Sequence, residues 1–400
     1  MAGKPTRAAG AASLDELLAA KEIAIACGSG GVGKTTTAAA AAAMAATHHG
    51  GKVLVLTVDP ARRLADALGL GALGNAETRV PDETFRAAGL KPRGELWAAM
   101  LDTKKSWDDL VRLHAPDDKT AAEILANPLY TNITSRFVQS HDYIAMERLY
   151  EIHTGGDYDL IVVDTPPSRN ALDFLEAPER MADFFSSRLL RWLIVPYRSR
   201  FVSLASRPFY QVADRLLGSQ FLQDIAEFFM LFQTMYAGFV ERAEAVSRLL
   251  HDRRTTFMVI STLEAAPLRE AEFFIGALAD KKFHLGAVVL NKVLPEYLRS
   301  PGSSTLASTL AGSSSELAEK IAPRLGSKLN QVDQVARVLN EVAESYLNFE
   351  MVARREAEQQ SELAVGTEVV ATVPAFETDI FDLGGLARLG AHIWSERTQT

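Results

Sequence analysis

The decapeptide CGSGGVGKTT, Cys27 to Thr36, follows the apolar run KEIAIAC and precedes an alanine-rich segment, so a strand must run into a glycine-rich turn and a helix must leave it. No other feature constrains the fold as tightly. Gly28, Ser29, Gly30, Gly31, Val32 and Gly33, followed by Lys34, Thr35 and Thr36, satisfy the spacing G-x-x-x-x-G-K-[ST]. The glycines let the backbone curl so that successive N–H groups point inward, where they and the N-terminus of the following helix favour an anion. Lys34 is placed to neutralise the β and γ phosphates of a nucleotide, and the Thr35 hydroxyl to ligate Mg2+. Cys27 reads as a small buried apolar residue at the strand end.

Short β-rich apolar runs recur along the chain: KEIAIAC (21–27), KVLVLTVD (52–59), ELWAAMLD (95–102), DLIVVDT (159–165), TTFMVIST (255–262), LGAVVLNK (285–292) and TEVVATVP (367–374). Helical patterns separate them. Continuous apolar strands alternating with helices predict an α/β fold, a doubly wound and mainly parallel sheet. Residues 1–12 read as a disordered tail, and Ser13-Leu-Asp-Glu16 has capping-box spacing that starts the folded chain. Residues 13–400 are expected to form one domain with helical insertions at about 103–150, 178–253 and 296–363. The third opens with the Ser/Gly-rich RSPGSSTLASTLAGSSS, read as a mobile loop over 299–316. It continues with a 3-4 stripe at Val332, Val335, Leu339, Val342, Tyr346 and Phe349. Because the stripe lasts under three heptads, packing on the body of the protein is favoured over an intermolecular coiled coil.

Composition narrows the function. With 400 residues, 48% of them hydrophobic, the chain has ample material for a core. A net charge of -8 argues against a nucleic-acid partner. The single cysteine rules out an intrachain disulfide and a multi-thiolate metal site, and it suits a reducing compartment, so a cytoplasmic protein is expected. No stretch approaches the ~18–20 apolar residues that span a bilayer, so stable membrane insertion is not expected.

Two aspartates fall where a nucleotide site needs carboxylates. Asp164 ends the strand LIVVD, and Asp59 ends another on what should be the same edge of the sheet. Asp164 is placed to hold Mg2+ through water. A strand-end aspartate alone is as readily a helix cap. Three motifs converging where ligands bind in such sheets favour the nucleotide reading.

With these motifs the chain resembles the arsenical-pump and tail-anchored-protein-targeting ATPases (the ArsA/GET group), a branch of the deviant P-loop NTPases that also holds the ParA and MinD proteins. The resemblance runs from about residue 20 to 395. It implies that Asp59, in DPARRLAD, orients the attacking water, and that Asp164, in DTPP, opens the second switch, although SRNALD replaces the family's usual continuation TGHTLR. It further implies that Glu264 is nucleotide-associated, that Asn291 reads adenine, and that the ATVPAF segment around Pro374 closes over the base. DTPPSRNALDFLEAPERMADFF is most similar to a bacterial, notably actinobacterial, branch, some members of which pair unlike subunits.

Two departures bear on catalysis. The family's signature lysine, which reaches the partner subunit's phosphates, is Ser29 here, and Arg62 replaces the first-switch histidine. Either a lysine-bearing paralogue supplies the cation in a heterodimer, or Arg62, Arg63 or Arg169 does so, or hydrolysis is slow. One cysteine is too few for the clustered thiols that arsenite demands, and the paired-cysteine zinc motif is absent, so zinc is not expected. The 178–250 region is rich in Phe, Met and Leu. Phe184, Phe185, Trp192, Phe228, Phe229, Met230, Phe232 and Met235 form either core packing or a groove for a hydrophobic helix. Arg188, Arg191, Arg198, Arg200 and Arg207 read as a solvated helical face or a lipid-touching segment. The expected activity is Mg2+-dependent ATP hydrolysis coupled to a helical subdomain, in a homodimer or heterodimer. A positioning switch of the partition type and a scaffold subunit with little turnover are the alternatives.

Overall fold

The computed structural model describes residues 13–58, 62–131, 138–165, 236–325, 331–363 and 367–394, together with 176–177, 180, 183, 228–232 and 235. The expected tail, 1–12, lies outside these. Eight strands form one sheet: β1 (Ile23–Cys27), β2 (Lys52–Thr57), β3 (Thr78–Arg79), β4 (Glu95–Met100), β5 (Leu160–Asp164), β6 (Thr255–Ser261), β7 (Leu285–Val293) and β8 (Val369–Pro374). Their order is β3-β4-β2-β5-β1-β6-β7-β8. Every pairing is parallel except that of β3 with β4. The doubly wound expectation holds, and the seven apolar runs are the seven parallel strands. The Ser13 hydroxyl accepts from the Glu16 N–H at 3.2 Å and starts the helix Leu14–Ala19, as the capping spacing predicts.

Side chains alternate across the sheet and divide the core into two layers. On β1, Ile23, Ile25 and Cys27 face a cluster that includes Trp107, Tyr143 and Phe239, while Ala24 and Ala26 face the opposite layer. That opposite layer is built on the helix Lys34–His48, whose Ala38 to Ala46 are all buried. Small residues on both the strand and the helix let their backbones approach closely, which fixes where the helix begins relative to the end of β1. No helix among the described residues is long and apolar enough to cross a membrane.

The insertions are helical where they are described. The first holds the helices Thr103–His114, Asp118–Ala126 and Val138–Gly155, and the second ends in the helix Tyr236–His251. The third corrects the expectation of a mobile loop over 299–316: Pro301–Gly312 and Ser314–Ile321 are helices. Pro301 occupies the first turn, where its missing N–H costs nothing. The small residues Ala307 and Ala318 are buried, and both helices pack against the helix Val332–Leu363, whose Ala343 and Ala353 are buried. The close helix–helix seam is therefore made by alanines, while Gly302 and Gly312 stay exposed. The 3-4 stripe is divided by that seam. Val335, Leu339 and Tyr346 are partly covered, whereas Val332, Val342 and Phe349 are exposed, because the contact runs through the neighbouring alanines.

Candidate nucleotide site

β1 is central in the sheet, hydrogen-bonded to β5 on one side and β6 on the other, so the loop that follows it emerges from a strand held on both sides. Two glycines in the loop are required by geometry. A Cβ at Gly28 would lie 2.1 Å from the Ile260 carbonyl oxygen. Gly33 has φ 96°, and a Cβ there would meet Asn291 Nδ2 at 2.3 Å. The loop therefore lies directly against the ends of β6 and β7.

Lys34 is buried and its ammonium donates to the Ser29 carbonyl at 2.8 Å, spanning the loop from within. Thr35 Oγ1 donates to Asp164 Oδ2 at 2.6 Å, and Thr57 Oγ1 donates to the same oxygen at 3.0 Å. Asp164 is 1% exposed. The register explains the convergence, since Asp164 pairs with Ala26 on β1 and with Thr57 on β2. Thr165 donates to the Ala26 carbonyl at 2.8 Å and ties the start of the next segment to β1. Burial pushes the Cys27 thiol up to about 12, so at neutral pH it is an inert packing group, as read from the sequence.

Asn291 is buried. Its Nδ2 donates to the Val32 carbonyl at 2.8 Å and its Oδ1 accepts from the Lys292 N–H at 2.9 Å, so it joins β7 to the loop. Pro374 ends β8 opposite Val293. Glu264 is exposed at the start of the helix Ala265–Asp280. Its negative charge reaches Glu356 of the long helix, whose carboxyl is held above the usual range first by burial and then by Glu264, against the lowering effect of the Leu294 N–H it accepts at 3.0 Å. Ser29 Oγ is buried without a hydrogen-bond partner among the described residues.

Thus Gly28 to Thr36, Asp164, Asn291 and Pro374 share one end of the sheet. Asp59 and Arg169 lie outside the described residues, as do Phe184, Phe185, Trp192 and the five arginines between 188 and 207. Arg62 and Arg63 begin the helix Arg62–Ala67, and their side chains are likewise outside. Phe228, Phe232 and Met235 are buried against Trp107, Tyr143 and Phe239 in the sheet's core layer, which corrects their place in a candidate groove. Phe229 and Met230 are half-buried. Sequence reasoning missed Thr57, Lys292 and Glu356. Thr57 carried a usable signal, since a hydroxyl at the end of the strand neighbouring the aspartate is placed to brace it.

A strand, a glycine loop closed by lysine, a helix and a buried aspartate on the adjacent strand define a P-loop nucleoside triphosphatase fold. The ArsA ATPase family, described as anion-transporting ATPases, matches residues 21–315. The chain belongs to that family and is an ATPase of it. A protein of Aquifex aeolicus (strain VF5) named arsenical pump-driving ATPase 2 is 26% identical over 271 residues, 67% of this chain and 79% of the relative. The arsenical pump-driving ATPase 1 of the same organism is 25% identical over 280 residues. That alignment covers 67% of this chain but 62% of the relative, under two thirds of its length.

Proposed function

We propose that this chain hydrolyses Mg2+-bound ATP and uses the nucleotide state to rearrange its helical insertions around a hydrophobic protein segment. The observation that carries the reading is the convergence of the Thr35 and Thr57 hydroxyls on the buried Asp164 carboxylate, beside a loop spanned by Lys34. These hard oxygen donors fit Mg2+, which takes few protein ligands and keeps water and phosphate oxygens. Thr35 would hold the ion directly and Asp164 through water. When bound, Mg2+ supplies divalent charge to the phosphate oxygens. Lys34 would exchange the Ser29 carbonyl for phosphate oxygens, and the loop amides would stabilise charge that develops during in-line attack by water. Asp59 is assigned to orient that water.

Ser29 carries no charge to offer a partner subunit, which supports a heterodimer with a lysine-bearing paralogue or a cation drawn from Arg62, Arg63 or Arg169. The uncharged Ser29 also supports the second reading, a nucleotide-binding scaffold with little turnover. A homodimer stays compatible with either. The one cysteine, buried and inert, argues against arsenite as cargo. Apart from the core residues Phe228, Phe232 and Met235, the remaining large apolar side chains of the second insertion, Phe184, Phe185, Trp192, Phe229 and Met230, support a hydrophobic helix as client. The helical insertions weigh against a partition-type switch, which needs no client surface.

Calorimetry with Mg2+·ATP and phosphate-release assays test the reading together. The wild-type chain is expected to bind, and Lys34→Ala to lower turnover at least about 100-fold. No affinity for adenine nucleotides would reject it. A rate that rises only on addition of a lysine-bearing paralogue would select the heterodimer, and a rate negligible in both conditions the scaffold.

A further inference from the structure

Among the described residues, two that are not glycine have a positive φ, Lys282 and Lys292, each at 60°. The left-handed region crowds a Cβ against the backbone, so each position needs a reason. Lys282 has an ordinary one. It ends the helix Ala265–Asp280, where the Phe283 N–H reaches back to the Leu278 carbonyl at 2.9 Å and the Lys282 N–H to Ala279 at 3.0 Å, a left-handed helix stop. Lys292 stops no helix. It lies on β7 where the register with β8 shifts: Leu290 pairs with Thr372 and Val293 with Pro374, leaving Asn291 and Lys292 in an outward bulge.

The bulge aims both residues at the phosphate loop. Asn291 holds the Val32 carbonyl and, through its own oxygen, the Lys292 N–H. The Lys292 ammonium donates to the Gly31 carbonyl at 3.4 Å. That is a long bond to a neutral acceptor, the side chain is exposed, and no carboxylate pairs with the ammonium among the described residues. An ammonium has three donors, so two are left unused by this bond beside a loop whose amides collect anions. A strained backbone persists where the surrounding structure over-determines it, as Asn291 does here, and such positions cluster at ligand clamps.

We propose that Lys292 is a nucleotide-binding cation, delivered from the β7 bulge to the phosphate chain in cis, which restores part of the positive charge absent at Ser29. The inference rests on the ATP reading and adds to it a residue outside the loop motif. Lys292 gives up its weak carbonyl contact when phosphate arrives, while Asn291 keeps the bulge in place.

The experiment measures Mg2+·ATP and Mg2+·ADP affinity by calorimetry, and the melting temperature without nucleotide, for the wild type, Lys292→Gly, Lys292→Asn, Lys292→Arg and Lys34→Ala. Glycine and asparagine both accept a positive φ. Either variant is expected to weaken ATP binding about tenfold, the loss typical of a charge-assisted hydrogen bond. The glycine variant is expected to melt no lower than the wild type. Lys292→Arg keeps the charge and is expected to stay within about threefold, and the wild-type advantage should shrink as salt rises. If Lys292→Gly and Lys292→Asn bind ATP as the wild type does while Lys34→Ala does not, the proposal is wrong and the ATP reading stands. Lowered melting temperatures with unchanged affinity would make Lys292 a support for the loop and overturn the proposal equally. A wild type that binds no nucleotide removes both.

Discussion

The helix Lys34–His48 and the helix Val332–Leu363 show two opposite ways of placing a helix in one protein. The first is 15 residues long, built on alanine, and buried on nearly every side between the sheet and the helix Leu383–Trp394. The second is 32 residues long and, among its described side chains, buries Ala343, Glu350 and Ala353. Val338 and Val342 stay 56% and 57% exposed on it, and Met351 reaches 71%. Side-chain size explains the contrast better than hydrophobicity. Alanine buries little area per residue but admits close backbone approach, so the first helix is locked to the strand that carries the loop. The second carries larger apolar groups and leaves many of them outside.

The comparison predicts unequal responses to substitution. Ala41→Leu, in the fully packed helix, is expected to cost about 3 kcal/mol in denaturant unfolding, because no neighbour can make room. A cost near zero would show that the helix is looser than its burial implies. Glu356→Ala removes the acceptor of the Leu294 N–H and is expected to cost about 1 kcal/mol, with faster amide exchange at Leu294.

The same carboxylate makes a pH prediction. Its folded-state pKa is raised by burial and then by Glu264, so folding disfavours its ionised form. Its contribution is most favourable below the usual glutamate pKa and declines as pH rises through the raised value. Glu356→Gln should flatten that part of the stability profile, and an unchanged profile would show that the carboxylate is solvated. The smallest effects belong to Val342→Ser and Phe349→Ser, each expected within about 0.5 kcal/mol for the isolated chain. A larger change that depends on protein concentration would mean that a second molecule covers this face.

The parallel strands were legible because burial on both faces demands unbroken apolar runs, and the loop was legible because phosphate binding demands glycines and a lysine at set positions. β3 was not, since two residues paired antiparallel at the sheet margin carry no periodicity. The helix Pro301–Gly312 was hidden for a different reason. Its serines and glycines signal a loop locally, and only the long helix packed against Ala307 shows that the stretch is helical. Asn291 was found through the family resemblance of VVLNK, whereas its neighbour was passed over. Nothing in a lysine announces a left-handed backbone, which here comes from a register slip between two strands distant in sequence.

Three of the four positions from Asn291 to Leu294, at and just beyond the end of β7, take on opposing duties. Asn291 and Lys292 fasten to the Val32 and Gly31 carbonyls, and two residues further on the Leu294 N–H is gripped by Glu356. So short a span of chain has little slack to absorb displacement. A shift of the loop carried by Asn291 is expected to reach the long helix, as through a rope too short to sag between two hands.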